Sequence, residues 1–289
     1  MNSMYRKMAG VALAGALLCG TAACTGEDDK ASPGGKAASS APKPVEVTPA
    51  AAIKRAAEKN EKITSLTYSM SGKVPGDGSM KAQASMSMKP LALQMKMEGG
   101  TGADSGEVEI RVVGGAMYMN GGEPLEPGKN WMKFDLAALK KAGGEDPMAG
   151  LSRQAEQNPA KDSAALTASK DLKKVGEETI DGVKTTHYSG TLTLDAMRDS
   201  LKGEDAATRK SREQSLKDYE KLGAKSLTMD MWIDENDQTK QFRTRSTTDK
   251  GPLDVVIKFL AVNKPVTVKA PSPGETVDLA EMMKDAEGA

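Results

Sequence analysis

Apolar and polar residues alternate along much of the chain, starting near residue 66 and recurring in several consecutive runs. A period of two is typical of half-buried β-strands, whose successive side chains point to opposite faces. Glycine-containing breaks separate the runs, including Gly114 with Gly115 and Asp181 with Gly182. Such pairs are typical of tight hairpin turns. The pattern therefore predicts a series of antiparallel strands that continues to about residue 259.

Helical patterns interrupt this series in a few places. Thr48 followed by Pro49 marks a helix start, and apolar residues then recur at helical spacing as far as Ile63. Residues 136–168 lose the alternation and predict two or three short helices, while residues 195–222 predict a mostly charged helical interval that ends at Gly223. A final short helix is expected after Asp278.

Together these elements predict an α+β fold. We expect one large antiparallel sheet of roughly eight to eleven strands, with inserted helices that cover one face. The inserted helices are too polar and too small to cover that face tightly, so a cavity is expected between them and the sheet. The residues predicted to line this cavity share the inward face of their strands: Leu66, Tyr68, Met70, Met86, Met88, Leu93, Met95, Met97, Ile110, Val112, Met229, Met231, Ile257 and Phe259.

The N-terminus has the layout of an exported lipoprotein. Arg6 and Lys7 precede an apolar run at residues 9–18, which is too short to span a bilayer and is typical of a secretory signal. Small residues then lead into Cys24, as lipid attachment requires; ordinary cleavage after Ala23 is the alternative. We expect a signal peptide at residues 1–23, a lipidated Cys24 that begins a disordered tether ending at residue 47, and one domain at residues 48–289.

Charge and composition limit the chemistry. The 40 basic and 40 acidic residues form no basic block, which argues against a nucleic-acid partner. Signal cleavage removes one of the 2 cysteines and lipidation uses the other, so disulfide and thiol chemistry are not expected. His187 is the only histidine, and on its strand we expect it to be exposed or hydrogen-bonded. Acids such as Asp230 and Asp234 alternate with apolar residues and predict a solvated strand face.

Methionine is unusually frequent, with 18 residues in the chain. Strand spacing alone explains the methionines as ordinary core, whereas their flexible thioether side chains could also form an adaptable lining for acyl chains. Four pairs with the spacing M-x-M give a further interpretation, a binding site for a cuprous ion, because thioethers are soft ligands for it. No nucleophile elbow, phosphate loop or cluster of metal ligands appears, so no enzyme activity and no cofactor are predicted.

Three stretches resemble a known lipoprotein family. They are GAMYMNGGEPLEPGKNWMKFDL at residues 115–136, DGVKTTHYSGTLTLD at residues 181–195 and MDMWIDENDQTKQFRTRS at residues 229–246. They are similar to the actinobacterial lipoproteins of the LppX and LprG type, whose fold is similar to the lipoprotein carrier LolA. The resemblance implies a half-barrel that holds acyl chains or lipopeptides in an apolar cavity.

We therefore expect a noncatalytic lipoprotein, anchored to the extracytoplasmic face of the cell membrane by its lipid. Its expected ligand is an acyl chain, a lipid or a lipidated molecule. The alternative is a protein-interaction or sensing module on the same fold, which would contact another envelope protein.

Overall fold

The alternating runs form one open sheet in the computed structural model, which describes residues 47–76, 78–99, 106–124, 126–141, 163–203, 206–280 and 282. Its strands are β1 (Ser65–Val74), β2 (Gly78–Met88), β3 (Leu91–Gly99), β4 (Gly106–Val113), β5 (Ala116–Asn120), β6 (Trp131–Asp135), β7 (Lys173–Ile180), β8 (Val183–Thr193), β9 (Ser226–Asp234), β10 (Thr239–Thr248), β11 (Gly251–Val262) and β12 (Thr276–Asp278).

The strands of this sheet follow the order β12-β6-β5-β4-β3-β2-β1-β11-β10-β9-β8-β7. All neighbours are antiparallel except β12, which pairs with β6 in parallel. The predicted α+β layout is confirmed, but the predicted eight to eleven strands are too few, because the described residues form a 12-stranded sheet. The three-residue strand β12 carries no alternation, and its partner β6 is far away in sequence, so no local pattern reveals it.

The described helices are α1 (Pro49–Asn60), α2 (Leu136–Lys141), α3 (Leu194–Ser200) and α4 (Ala206–Lys221), with short 3-10 segments at Ser163–Ala168, Leu201–Gly203 and Pro273–Glu275. Helix α1 begins as predicted, since the Thr48 hydroxyl accepts a hydrogen bond from the Ala51 N–H at 3.3 Å. Of the helical stretch predicted at residues 136–168, residues 142–162 lie outside the described residues.

The helical interval predicted at residues 195–222 is divided. Helix α3 begins after Thr193, whose hydroxyl accepts a hydrogen bond from the Ala196 N–H at 3.1 Å, and a 3-10 turn separates it from α4. Gly223 ends α4 as predicted, with a φ of 77° that favours glycine. A Cβ at this position would also overlap the side chain of Asp249, so glycine is favoured for two separate reasons.

Two hairpin turns follow the sequence prediction. Gly114 and Gly115 connect β4 to β5 with φ angles of 63° and 77°, and Asp181 and Gly182 connect β7 to β8 with φ angles of 47° and 83°. Two consecutive residues with positive φ match the twist of antiparallel strands in a two-residue hairpin. Of the helix predicted after Asp278, residues 279, 280 and 282 are helical, and the Asp278 carboxylate accepts the Ala280 N–H at 3.0 Å.

The two faces of the sheet differ in what covers them. The inner face carries Leu66, Met95 and Met231, and it forms one hydrophobic core with Ile53 of α1 and Leu166, both of which are fully buried. The opposite side is called the outer face. On it, the chain after β11 crosses β4, where the Arg111 guanidinium donates to the Lys269 carbonyl oxygen at 3.2 Å and lies 4.4 Å from the Trp131 ring centroid.

Candidate functional site

The residues predicted to line a ligand cavity all belong to the inner face. The strand register aligns Leu66, Met86, Leu93 and Val112 in one row across four strands. On the other side of β1, a second row joins Met70 to Ile257 and, through β10, to Met231. Tertiary structure therefore brings side chains from widely separated strands onto one continuous apolar surface.

Burial divides these predicted residues into two groups. Those that are buried in the core are Leu66, Tyr68, Met86, Leu93, Met95, Val112, Met229, Met231 and Phe259. Those that are only partly buried are Met70, Met88, Met97, Ile110 and Ile257. Burial also raises the pKa of the Tyr68 hydroxyl, so this phenol stays neutral and joins the apolar surface.

Several of the partly buried side chains are methionines that lie on β1, β2, β3, β5 and β6. We call them the half-buried methionine group: Met70, Met80, Met88, Met97, Met119 and Met132. Met119 and Met132 are direct cross-strand partners, and Met119 also faces Ile110. The half-buried methionine group is partly accessible to solvent, whereas the row from Leu66 to Val112 is buried. Sequence alternation predicted the face but could not separate these two parts.

A small cavity of about 50 Å³ lies at another part of the inner face, between the sheet and α4. Its lining comprises Ala165, Met197, Ser200, Leu201, Arg212, Ser215, Leu216, Tyr219, Leu227, Met229, Phe242 and Thr244. Met229 is the one predicted ligand-face residue that reaches it. The sequence predicts few apolar contacts for the charged interval, through Met197, Leu201, Leu216, Tyr219 and Leu222, and all of these except Leu222 line the cavity. None of them was predicted to contact a ligand.

The outer face of β7 to β10 carries a polar cluster, centred on the buried residues Asp230 and Trp232, that sequence reasoning missed. The His187 Nδ1 lies 2.8 Å from a Glu178 carboxylate oxygen, and its Nε2 lies 3.0 Å from an Asp230 oxygen. Arg245 donates to the other Asp230 oxygen at 2.6 Å. The Trp232 ring stacks on His187 with 4.2 Å between centroids and donates its N–H to Glu178 at 2.8 Å. The expectation that His187 is hydrogen-bonded is confirmed.

The prediction that Asp230 lies on a solvated face is wrong, because the residue is only 2% exposed. Burial opposes its ionisation, but hydrogen bonds from Ser189, His187 and Arg245 outweigh that effect and hold the pKa of Asp230 below its ordinary value. The hydrogen bond from Trp232 is the main cause that lowers the pKa of Glu178. Both carboxylates therefore remain charged near neutral pH.

The hydrogen bonds of this polar cluster favour a structural role. Its carboxylates already accept hydrogen bonds from neighbouring strands, and it joins the edge strand β7 to β8, β9 and β10. Among the residues that the structure describes, no three histidine, cysteine, aspartate or glutamate side chains are placed to hold a metal ion. In the same residues, no helix has the length and hydropathy that a membrane crossing requires.

Comparison with known proteins identifies the family. The model of the LppX and LprAFG lipoproteins matches residues 48–210. The chain belongs to this lipoprotein family. An uncharacterised 31.2 kDa protein from the rplA–rplJ intergenic region of Streptomyces griseus is 30% identical over 206 residues, which are 67% of this chain and 66% of that protein. The match thus spans slightly less than two thirds of the relative's own length.

Solved structures of the same lipoprotein group are also similar. LprF from Mycobacterium bovis is 15% identical with a TM-score of 0.49, and the match covers 78% of this chain and 97% of LprF. LppX from Mycobacterium tuberculosis is 16% identical with a TM-score of 0.42, and the match covers 76% of this chain and 98% of LppX.

Proposed function

We propose that this member of the LppX and LprAFG family is a noncatalytic envelope lipoprotein that binds an acyl chain, a lipid or a lipidated molecule against the inner face of its sheet. Residues 1–23 are its signal peptide, and Cys24 carries the lipid that anchors it to the extracytoplasmic face of the cell membrane. The tether ends at residue 47, and residues 48–289 form the binding domain. Cys24 and nearly all of the tether lie outside the described residues.

The half-buried methionine group is the observation that carries this proposal. Its side chains lie on the same apolar face as the buried core, yet they remain partly accessible to solvent. Apolar side chains that remain accessible to solvent together on one face can mark a binding site. Unbranched thioether side chains can also adapt to acyl chains of different shape. The lipoprotein family to which the chain belongs supports the same interpretation.

The proposal is tested by native mass spectrometry of the mature protein purified without detergent. A carrier should retain a hydrophobic molecule at a fixed stoichiometry, and it should bind a fluorescent fatty acid after delipidation. A folded protein that neither retains a lipid nor binds the fatty acid would contradict the proposal. That result would favour the protein-interaction alternative.

A charge on the inner face should separate ligand binding from folding. In Met97→Glu, the half-buried position can hydrate the new carboxylate enough to keep the fold, while an acyl chain cannot compensate that charge. We expect the affinity for a fluorescent fatty acid to fall about tenfold or more, since burying a polar group without a partner costs about 1–3 kcal/mol.

Gln83→Glu is the matched control, because Gln83 is exposed on the outer face of the neighbouring strand and faces Lys96. It should bind the fatty acid like the wild type. Equal binding by both variants, with unchanged melting temperatures, would remove Met97 from the proposed site.

The anchor is tested separately by metabolic labelling with a palmitate analogue. The wild type should be labelled and Cys24→Ala should not, because the thiol accepts the diacylglyceryl group. Equal labelling of the two proteins would show that Cys24 is not the attachment site, whatever the domain binds.

A further inference from the structure

The cavity beneath α4 combines an apolar interior with one charged side chain. Leu227, Met229 and Phe242 line it from the sheet, and Leu216 with Tyr219 line it from the helix. Among the lining residues that the structure describes, only Arg212 has a charged side chain, and it is half-buried. No carboxylate belongs to this lining, so its charge is complementary to an anion.

The residues that α4 contributes to the cavity lie on one face of the helix. Arg212, Ser215, Leu216 and Tyr219 follow the spacing i, i+3, i+4 and i+7, which places them on one helix face. Hydroxyl groups of Ser200, Ser215 and Thr244 also belong to the lining. Arg212 already takes part in an interaction within the fold. Its guanidinium has five N–H donors, so a ligand anion can share it.

Helix α4 is held over the sheet by few apolar contacts. Leu216 is buried and packs in a small cluster with Leu194 and Leu201, and Tyr219 is only partly buried against it. An ion pair between Arg198 and Glu220 joins α3 to α4, but both side chains are about half exposed, so it contributes little. Tyr219 also packs against the main core, and Arg209 and Ser215 make further interactions. An outward movement of α4 would break these contacts, but it would leave the strand pairing of the sheet intact.

Such movement is needed for a lipid to enter. A cavity requires about 10–15 Å³ of accessible volume for each water molecule, so the 50 Å³ present here accommodates only a few atoms. An acyl chain would displace α4 outward and extend along Leu227, Met229 and Phe242. Its polar end would then meet Arg212 on the face of the helix that lines the cavity.

We propose that the cavity beneath α4 binds the anionic end of an acyl amphiphile, with the carboxylate or phosphate paired to Arg212 and the chain in contact with the sheet. This inference rests on the proposed lipid binding and specifies the ligand class as anionic. A hydrogen bond to an ionised group is stronger than one between neutral groups. The preference for an anionic over a neutral amphiphile is therefore expected to be about tenfold or more.

The test compares a fluorescent polyene fatty acid with the corresponding alcohol on the delipidated mature protein. The wild type should bind the acid at least about tenfold more tightly than the alcohol, and Arg212→Gln should lose that preference while binding the alcohol unchanged. Lys210→Gln is the matched control, because it removes the same charge from an exposed position of α4 outside the cavity lining. It should keep the preference.

Further measurements distinguish the sources of the anion. An acyl phosphate should compete with the fatty acid, whereas inorganic phosphate alone should not; competition by inorganic phosphate at similar concentration would overturn the amphiphile assignment. If Arg212→Gln does not fold, Arg212→Met should give the same loss and Arg212→Lys should retain the preference. A wild type that binds acid and alcohol equally overturns this inference only, whereas a wild type that binds neither also contradicts the proposed function.

Discussion

The two faces of β9 are both buried, but they are buried by different chemistry. On the inner side, Met231 is fully buried among apolar residues of the core. On the outer side, Asp230 and Trp232 are 2% and 5% exposed and form hydrogen bonds to charged partners. Low exposure therefore does not distinguish a hydrophobic core position from a member of a polar cluster.

This difference has consequences for stability. Apolar burial on the inner face is non-directional and contains few ionisable groups, so its contribution changes little with pH. The outer cluster depends on the direction of each hydrogen bond and on the ionisation of Glu178 and Asp230. The hydrogen bonds of the outer face therefore fix the arrangement of the neighbouring strands, whereas apolar packing on the inner face imposes no such directions.

The largest expected effect is on the inner side of β9. Met231→Ala leaves a cavity at a fully buried position and should lower the free energy of unfolding by about 2–5 kcal/mol. Met97→Ala, at a half-buried position, is the comparison and should cost clearly less. Urea denaturation near neutral pH measures both values. Equal losses would mean that the two parts of the inner face are packed alike.

A smaller effect is expected on the outer side of β9. Asp230→Asn weakens the interactions with His187 and Arg245 and should lower the free energy of unfolding by about 1–3 kcal/mol near neutral pH. Denaturation in urea measures this loss, and Asp234→Asn, at a partly exposed position of the same face, is the control. A loss at Asp234 as large as at Asp230 would contradict the importance of the polar cluster.

The Asp230 effect should also depend on pH in a defined direction. Its pKa is lower in the folded protein than the ordinary value of 3.8, so between these two values the unfolded chain binds more protons. Its contribution is complete above that ordinary value and is lost as the pH falls towards the lowered pKa. The difference in stability between wild type and Asp230→Asn should shrink over this acid range, and a constant difference would contradict the assignment.

The smallest effect is expected for an exposed ion pair beside the same cluster. Lys184 and Glu177 lie 2.8 Å apart on β8 and β7, but their side chains are 75% and 53% exposed. Solvent screens such pairs, so Lys184→Gln should leave the free energy of unfolding almost unchanged. A loss as large as that of Asp230→Asn would show that charge pairing, and not burial, controls the stability of this edge.

The sequence by itself determined the features that depend on neighbouring residues. Alternation identified most of the strands, though not β12, and the inner face, because side-chain direction reverses at each strand residue. Thr48 identified the start of α1, and the pairs Gly114–Gly115 and Asp181–Gly182 identified two hairpins, because these residues favour the required backbone angles. The resemblance of three stretches also indicated the lipoprotein family.

Tertiary structure alone decided which of these residues are buried and which remain partly accessible to solvent. Met86 and Met97 follow the same alternation, yet one is buried and the other is partly exposed, because their surroundings come from distant parts of the chain. Asp230 is buried because its partners lie 43 and 15 residues away in sequence and meet it only across paired strands. Arg212 likewise reaches the cavity only because α4 packs against β9 and β10. Periodicity fixes the direction of a side chain within its own strand or helix, but long-range packing determines what that side chain contacts.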